Sequence, residues 1–461
     1  MHTTNLDPAP GPAGVAPAPA GPDAPAGLPA AAVLTCGFGA AVVMWALGYL
    51  GRLPGVEAPA WTLGALYLAA SVAAGAWTGR LPGATAWSAA GAGAVAFALN
   101  LLILGSVVRD RADLALAVPG SILAGAALAG IGGLAARRLA PPPAVAPATA
   151  ADWVGRFAGV AAAATLLLLA IGGLVTTHDA GLAVPDWPNS YGTNMFLFPL
   201  SRMTGGIFYE HAHRLFGSLV GLTTLGLLAL TWRHERRRPV LLLTALAFAL
   251  VCVQGALGGL RVTGRLTLSM DAAELSPSTA LAVVHGVLGQ LFFALLAGLA
   301  AVGSGTWRSE RPAAPREADD RELHAWLVAA VALQLVLGAL VRHTGMTPVL
   351  HICMAVLVAL LAGFAGFRAW ALAGDLPVLP GLGRFLLGAV GLQLLLGIGA
   401  LVVTELGRDG ASPPGRILLP TAHQTLGALI LVAATQLLLW SRRLVRPAPP
   451  AGGAPPGAAS A

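Results

Sequence analysis

The sequence predicts an all-α integral membrane protein, in which two pseudo-symmetric four-helix bundles form an eight-helix core and four additional transmembrane helices precede it. Three observations support this prediction: an apolar composition, twelve apolar stretches of membrane-spanning length, and histidines that recur at a fixed spacing. Of the 461 residues, 56% are hydrophobic and 10% are charged, and the mean hydropathy is +0.76. Soluble domains carry about 25% charged residues. A soluble fold is therefore excluded.

Each apolar stretch is long enough to cross about 30 Å of hydrocarbon as a helix. A closed barrel would show short segments of alternating polarity instead, so helices are predicted. The predicted spans are 31–50, 61–79, 86–108, 114–136, 153–175, 206–232, 239–260, 279–303, 324–341, 348–372, 384–403 and 418–441.

The basic residues, all of them arginine, indicate how the chain is oriented in the membrane. They cluster at 137–138, 233–238, 308–321 and 442–446, which are alternate connections between the spans. Basic residues concentrate in cytoplasmic loops. We therefore expect a multi-pass protein of the cell inner (plasma) membrane with both termini in the cytoplasm, and we do not expect nucleic acid as a partner.

Composition also predicts the domain organisation, because a Pro-rich stretch separates four N-terminal spans from eight others. The three cysteines form no closely spaced pair, so neither a disulfide framework nor a thiolate metal site is expected. The predicted units are a disordered Ala/Pro tail at 1–30, a four-span accessory module of unknown role at 31–138, a linker at 139–152, an N-terminal bundle at 153–303, a cytoplasmic linker at 304–323, a C-terminal bundle at 324–445 and a disordered tail at 446–461.

Four histidines define an internal repeat. His213 and His285 are 72 residues apart, and so are His351 and His423. The helix before each of them ends in a related phrase: "IGGLVTTHDAG" (171–181), "LGGLRVTG" (257–264), "LGALVRHTG" (337–345) and "IGALVVTELG" (398–407). In three of these helices a glutamine stands upstream, at 254, 334 and 393. The repeated unit is thus a helix, an outer loop and a second helix with one histidine near its start.

Ionisable side chains inside membrane helices usually face the bundle interior and serve a function. The alternative is a histidine that only hydrogen-bonds a neighbouring helix. Imidazole is a good ligand for iron, zinc and copper, but zinc sites usually add cysteines or carboxylates in tetrahedral geometry. Haem fits better, because two facing helices supply one axial histidine from each side of a planar ring. The predicted pairs are His213 with His285, and His351 with His423.

Several further residues lie near these histidines in the sequence. Arg214, Arg261, Arg265 and Arg342 lie at the outer helix ends, where they would either bind haem propionates or reach lipid headgroups.

Glu210 shares a helix face with His213, whereas its counterpart in the second half is Pro348. Glu210 is therefore the candidate catalytic acid. The alternative is an interfacial acid that is stabilised at the N-terminus of its helix, where negative charge is favoured. The roles of His178, His211 and His343 stay open, and His234 and His324 are expected to be solvated.

The motifs "GGLVTTHDAGLAVPDWP" (172–188), "EHAHR" (210–214), "VHGVLGQ" (284–290), "LVRHTG" (340–345) and "TAHQTLGA" (421–428) together resemble the haem A synthase family over residues 153–445. The resemblance implies a membrane haem-dependent oxidoreductase that converts the C8 methyl group of haem O to a formyl group, giving haem A for cytochrome c oxidase.

The resemblance also implies the cofactor and the site residues. His351 and His423 would hold haem b in the C-terminal half. His213 and His285 would hold haem O or haem A in the N-terminal half, with Glu210 as the essential acid. The expected partners are haem O, membrane lipid, haem O synthase and an electron donor or acceptor, and a homo-oligomer is left open.

Two features depart from the family pattern. The first outer loop, "GLAVPDWPNSYG", lacks the cysteine pair of some members, and the four N-terminal spans lie outside the common core. Two alternative functions remain, and the first of them uses the same four histidines. A non-catalytic dihaem b-type cytochrome would pass electrons from quinol, but it gives no reason for an acid in one half only. A transporter built on internal repeats would place polar groups at the midplane.

Overall fold

The computed structural model of the protein describes residues 28–109, 112–141, 148–263, 278–309, 314–316, 320–407 and 415–447. Over these residues the chain is almost wholly helical, and twelve of its helices are long and apolar enough to span a membrane. The predicted all-α membrane fold is thereby confirmed. Most of both predicted tails, and Arg265, lie outside the described residues.

The helices are α1 (Ala30–Arg52), α2 (Ala60–Gly79), α3 (Ala86–Ile103), α4 (Leu114–Leu139), α5 (Ala150–Thr177), α6 (Gly205–His234), α7 (Arg238–Thr263), α8 (Thr279–Val302), the short α9 (Gly305–Arg308), α10 (Arg321–Thr344), α11 (Pro348–Ala371), α12 (Leu379–Leu406) and α13 (Leu418–Leu444).

Two small two-stranded sheets accompany the helices in the part of the chain that the structure describes. β1 (Asn189–Ser190) and β2 (Thr193–Asn194) are antiparallel and lie in the segment that joins α5 to α6. β3 (Ala314–Arg316) and β4 (Val445–Pro447) are parallel, and they join the connection between the two bundles to the end of the chain.

The helix bounds differ from the predicted spans in a systematic way. Most helices extend a few residues beyond their span, as in α12, because hydropathy marks only the apolar part of a helix that continues into the polar interface. The exceptions are α8 and α11, which each end one residue before the end of the predicted span, and α3. Helix α3 ends at Ile103 and is followed by a 3₁₀ turn at Gly105–Val107 within the predicted span.

Helices α5 to α8 form the first bundle and α10 to α13 form the second. Within each bundle every helix packs against its two neighbours in chain order, and the first helix packs against the last. The bundles meet where α13 packs against α5 and α8, and where α10 packs against α8. Each histidine pair therefore has one member on a helix at the junction of the bundles, α8 or α13.

The N-terminal helices attach to the first bundle through α1. Its aromatic side chains pack on α5 and α6, with Phe38 5.0 Å from Phe157 and Trp45 5.1 Å from Phe216 between ring centres. Helices α2, α3 and α4 pack mainly on one another and on α1. Glycines at the α2–α4 contact let the two backbones approach closely, as is typical of membrane helices.

The arginine-rich ends of the helices carry a set of ion pairs. Glu235, directly after α6, accepts hydrogen bonds from Arg237 at 2.6 and 3.0 Å and lies 3.4 Å from Arg308. Arg308 also pairs with Asp152 at the start of α5. Burial raises the pKa of Glu235, but the hydrogen bonds and charges of Arg237, with the charge of Arg308, outweigh it and lower that pKa to about 2. In the second bundle Asp320 pairs with Arg368 at 2.8 Å.

Candidate functional site: two histidine pairs

The structure brings the four repeated histidines together as two pairs. The ring centres of His213 and His285 are 6.2 Å apart with their planes at 76°. Those of His351 and His423 are 6.3 Å apart with their planes at 77°. The two bundles therefore present the same arrangement, although the connections around them differ.

All four histidines lie close to the N-terminal ends of their helices, at the end of the protein opposite the arginine clusters, which we call the outer end. They are the ninth residue of α6, the seventh of α8, the fourth of α11 and the sixth of α13. At about 1.5 Å per residue, this places them at similar depth below the outer surface.

A glycine on the preceding helix faces each histidine ring. A Cβ on Gly172, Gly338 or Gly397 would lie 3.0–3.1 Å from Cε1 of the facing histidine, and one on Gly258 would lie 3.6 Å from Cε1 of His285. Since a larger residue would push the ring away, these glycines let each imidazole lie against the neighbouring backbone. Gly172, Gly258 and Gly338 belong to the repeated phrases, and Gly397 directly precedes the fourth phrase.

A glutamine four residues before the glycine supports three of the histidines. The side-chain amide of Gln254 donates to the main-chain carbonyl of His285 at 3.0 Å. Gln334 and Gln393 make the same bond to His351 and His423, at 3.0 and 3.1 Å. The amide nitrogens of Gln334 and Gln393 also lie 3.4 Å from Nε2 of their histidines. The repeated glutamines thus tie His285, His351 and His423 to the preceding helices.

Buried polar atoms without partners collect at these pairs. Among the described residues, Nδ1 of all four histidines and Oε1 of the three glutamines are buried without a hydrogen bond. Buried polar groups normally find a partner, and their absence needs an explanation such as a bound ligand. The two pairs therefore have the character of binding sites.

The distance within each pair fits one metal ion bound from both sides. Two metal–imidazole bonds of about 2 Å, with about 1 Å from each nitrogen to its ring centre, place two ring centres about 6 Å apart. Within the described ranges no group of three or more His, Cys, Asp or Glu side chains is placed to bind a metal. A pair with only two protein ligands suits haem, because the porphyrin supplies the other four nitrogens.

Glu210 lies near the first pair, and the structure shows what holds its carboxylate. Oε1 accepts from Nη2 of Arg214 at 2.7 Å, and Oε2 accepts from the main-chain N–H of Val184 at 2.8 Å. The side chain is almost fully buried, at 5% exposed. Each oxygen accepts one hydrogen bond and keeps a further lone pair. Glu210 therefore anchors the outer segment as well as lying one helical turn before His213.

Arg214 has partners that the sequence did not indicate. Its two terminal nitrogens donate to the main-chain carbonyls of Val184, Asp186 and Asn189 at 2.6–3.0 Å, in addition to Glu210. These bonds use the guanidinium to fold the outer segment 178–204 over the end of α6. The structure therefore assigns Arg214 to this segment, which leaves little of its side chain for a propionate.

Other side chains give the outer segment its own folded core. The carboxylate of Asp186, which is 1% exposed, accepts from the main-chain N–H groups of Tyr191 and Gly192 at 2.7 and 2.8 Å. Ser190 Oγ lies 3.0 Å from Nδ1 of the fully buried His211. His211 thus packs against the outer segment, with its ring beside Ser190 and Phe198.

The other two predicted arginines are differently placed. Arg261, at the end of α7, lies against Gly181 and close enough to Glu210 to interact electrostatically. Arg342, at the end of α10, is exposed and interacts with Asp179. Neither guanidinium donates a hydrogen bond to any residue that the structure describes.

The remaining histidines have structural surroundings. His178 stacks on Tyr209 with ring centres 3.8 Å apart. His343 lies close enough to Arg261 to interact electrostatically. The expectation that His324 is solvated was wrong: it is 2% exposed and its Nδ1 lies 3.1 Å from Ser441 Oγ. Hydropathy placed the start of a membrane span at residue 324. The sequence alone did not show that α13 packs over this position and buries it.

The fold and the pairs define the class of the protein: a multi-pass membrane protein whose helical bundles each present two facing histidines. Residues 155–350 match the family described as cytochrome oxidase assembly protein. Over this region, which is less than half of the chain, the sequence is similar to that family, which acts in haem A biosynthesis. No curated protein and no solved structure matches the chain. The match ends one residue before His351, so the second pair is related to it through the internal repeat.

Proposed function

We propose that the protein is a haem A synthase, which oxidises the C8 methyl group of haem O to a formyl group for use in cytochrome c oxidase. The observation that supports the proposal is the presence of two histidine pairs whose ring centres are 6.2 and 6.3 Å apart. They lie in a chain of which residues 155–350 match a cytochrome oxidase assembly family. Two equivalent pairs suit one haem as substrate and one as cofactor.

In this proposal His213 and His285 hold haem O, while His351 and His423 hold haem b. When bound, the haem irons supply the redox chemistry that removes electrons from the methyl group. The protein's own contribution is to fix the substrate between α6 and α8, and the glycines at 172 and 258 leave room for the ligating rings. This arrangement holds the reacting carbon in one position relative to nearby side chains.

Glu210 is the candidate proton acceptor in this mechanism. It is one helical turn from His213, and its position is fixed by Arg214 and by the N–H of Val184. With water as the source of the new oxygen atom, oxidation of the methyl group to a formyl group would release electrons to an external acceptor and protons to nearby bases. A positioned carboxylate oxygen with a free lone pair is suited to take up one of these protons. The second bundle has Pro348 in the equivalent position, which supports the assignment of the chemistry to the first bundle.

We assign Arg261 and Arg342 to the haem propionates, because they lie at the outer end of the bundles and no described residue accepts a hydrogen bond from their guanidinium groups. A planar guanidinium pairs well with a carboxylate. Arg214 is a weaker candidate, since the outer segment already takes up its terminal nitrogens.

The orientation is also part of the proposal. The arginine clusters face the cytoplasm, both termini are cytoplasmic, and the histidine pairs lie near the opposite surface of the cell inner membrane.

The test is to purify the protein in detergent, extract its pigment and supply haem O with an electron donor or acceptor. We expect haem b together with haem O or haem A in the extract, and conversion of haem O to haem A. The variant His213→Met should lose only the substrate haem and His351→Met only haem b, and both should stop conversion. Haem b alone, with no conversion, would instead favour an electron-transferring cytochrome, and a haem-free protein would contradict both.

A further inference from the structure

The glutamine pattern is complete in the second bundle and incomplete in the first. Gln334 and Gln393 support both histidines of the second pair, whereas in the first pair Gln254 supports only His285. The residue four positions before Gly172, where the fourth glutamine would stand, is Leu168. His213 is thus the one repeated histidine whose preceding helix offers no side-chain amide.

Leu168 is equivalent to the glutamines in space as well as in sequence. Its main-chain carbonyl lies beside the ring of His213. The carbonyls of the three glutamines lie in the same way beside the rings that they support. The backbone geometry is therefore repeated four times, and only the side chain at the fourth position differs.

The space that a glutamine amide would fill is present at His213. One turn after His285 stands Gly289, and a Cβ there would lie 3.0 Å from the amide nitrogen of Gln254. One turn after His423 stands Gly427, and a Cβ there would lie 3.4 Å from the amide nitrogen of Gln393. One turn after His213 stands Gly217, with open space within 4 Å. The first bundle therefore has a glycine at 217, equivalent to Gly289 and Gly427, but no glutamine amide beside it.

We propose that Leu168 makes the first pair an exchangeable haem site, because it leaves His213 the least firmly held of the four histidines, while the paired glutamines make the second site a retaining one. The inference rests on the proposed function and deepens it. Outer-shell partners that orient a ligating histidine are worth about 10–100-fold in metal affinity. A site for a substrate must release its product, whereas a site for a resident cofactor must keep it.

The experiment measures haem release from each pair. The purified protein is loaded with haem b at both sites, and an excess of apomyoglobin then takes up the haem that dissociates. We expect two phases: a fast one, which His213→Met abolishes, and a slow one, which His351→Met abolishes. Leu168→Gln should slow the fast phase about tenfold. Leu168→Met, with a similar volume and no amide, should leave it unchanged.

Two variants test the same inference without changing Leu168, so it stays falsifiable if Leu168→Gln does not fold. Gln334→Leu should speed the slow phase about tenfold, and Gln254→Leu should speed the fast phase further. The absorption and magnetic resonance spectra of the iron should report altered axial histidines in these variants, which a general loss of stability would not produce.

The outcomes separate this inference from the proposed function. Wild-type protein that binds haem at neither pair overturns both. Haem bound at both pairs, with a fast phase that Leu168→Gln and Gln254→Leu leave unchanged, overturns the exchangeable-site inference alone. A slow phase that belongs to His213 overturns it as well.

Discussion

In the first bundle, 27 residues (178–204) join α5 to α6 and fold into a segment with its own hairpin and buried aspartate. In the second bundle the equivalent connection is only Gly345, Met346 and Thr347. The histidine pairs beneath these connections nonetheless have ring separations within 0.1 Å of each other. The repeat thus preserves the metal-binding geometry while the surroundings diverge.

The difference between the bundles is concentrated at the outer ends of α6 and α11. Glu210 and Arg214 bind the outer segment in the first bundle, and Pro348 begins α11 in the second. The N-terminal helices add to the asymmetry, since Arg52 and Arg109 donate to the carbonyls of Leu200 and Leu197 in the same segment. Helix α1 and the connection between α3 and α4 therefore support the outer segment of the first bundle.

The largest expected effect comes from Glu210→Gln, which removes the acid from the bundle that we assign to the chemistry. Haem A formation should fall about 10²–10⁴-fold, the usual contribution of a positioned acid or base. Both haems should remain bound, because no histidine is changed, and haem O should accumulate. Analysis of the extracted pigments by chromatography measures both.

Two controls distinguish chemistry from anchoring. Glu235→Gln, at the opposite end of α6, should leave haem A formation unchanged. Arg214→Gln loosens the outer segment while keeping the carboxylate, so it should lower thermal stability more than it lowers turnover. Equal losses of turnover in the Glu210 and Arg214 variants would show that Glu210 acts only as an anchor.

An intermediate effect is expected from the glycines that face the rings. Gly172→Val should displace His213, and Gly338→Val should displace His351, each at a cost of about 1–3 kcal/mol from overpacking. Each variant should therefore lose haem from its own pair and keep the other, as measured by haem content per protein. Gly363→Val, in α11 with open space around it, is the control and should retain both haems. Loss of both haems from either variant would contradict the independence of the two sites.

The smallest effect concerns the arginine-rich ends. The pKa of Glu235 is held at about 2, below the ordinary value of 4.5, so its ionised form stabilises the folded state above pH 4.5 and that contribution is lost as the pH falls towards 2. Glu235→Gln should therefore lower the melting temperature at pH 7, with a difference from wild type that shrinks on acidification.

The second bundle offers the comparison for this prediction. Asp320→Asn removes the ion pair between Asp320 and Arg368. The side chain of Asp320 is 26% exposed, whereas that of Glu235 is 6% exposed. Because solvent screens exposed pairs, its effect at pH 7 should be smaller. A larger decrease of the melting temperature in Asp320→Asn than in Glu235→Gln would contradict this prediction.

Much of this architecture follows from the sequence alone. The number of spans and the all-α fold follow from hydropathy, because each helix must be apolar along its own length to enter the bilayer. The pairing of His213 with His285, and of His351 with His423, follows from the 72-residue repeat, and the structure places the same side chains together. These are properties of local composition and of periodicity.

Only the tertiary structure decided which groups meet across helices. It gave Arg214 to the carbonyls of the outer segment, buried His324 against Ser441 and set α1 on the first bundle. It also showed that the glutamines reach the carbonyls of histidines on the next helix, so that Leu168 marks an exception rather than one more leucine. Periodicity fixes where a side chain lies along its own helix, whereas its partners depend on how helices distant in sequence pack together.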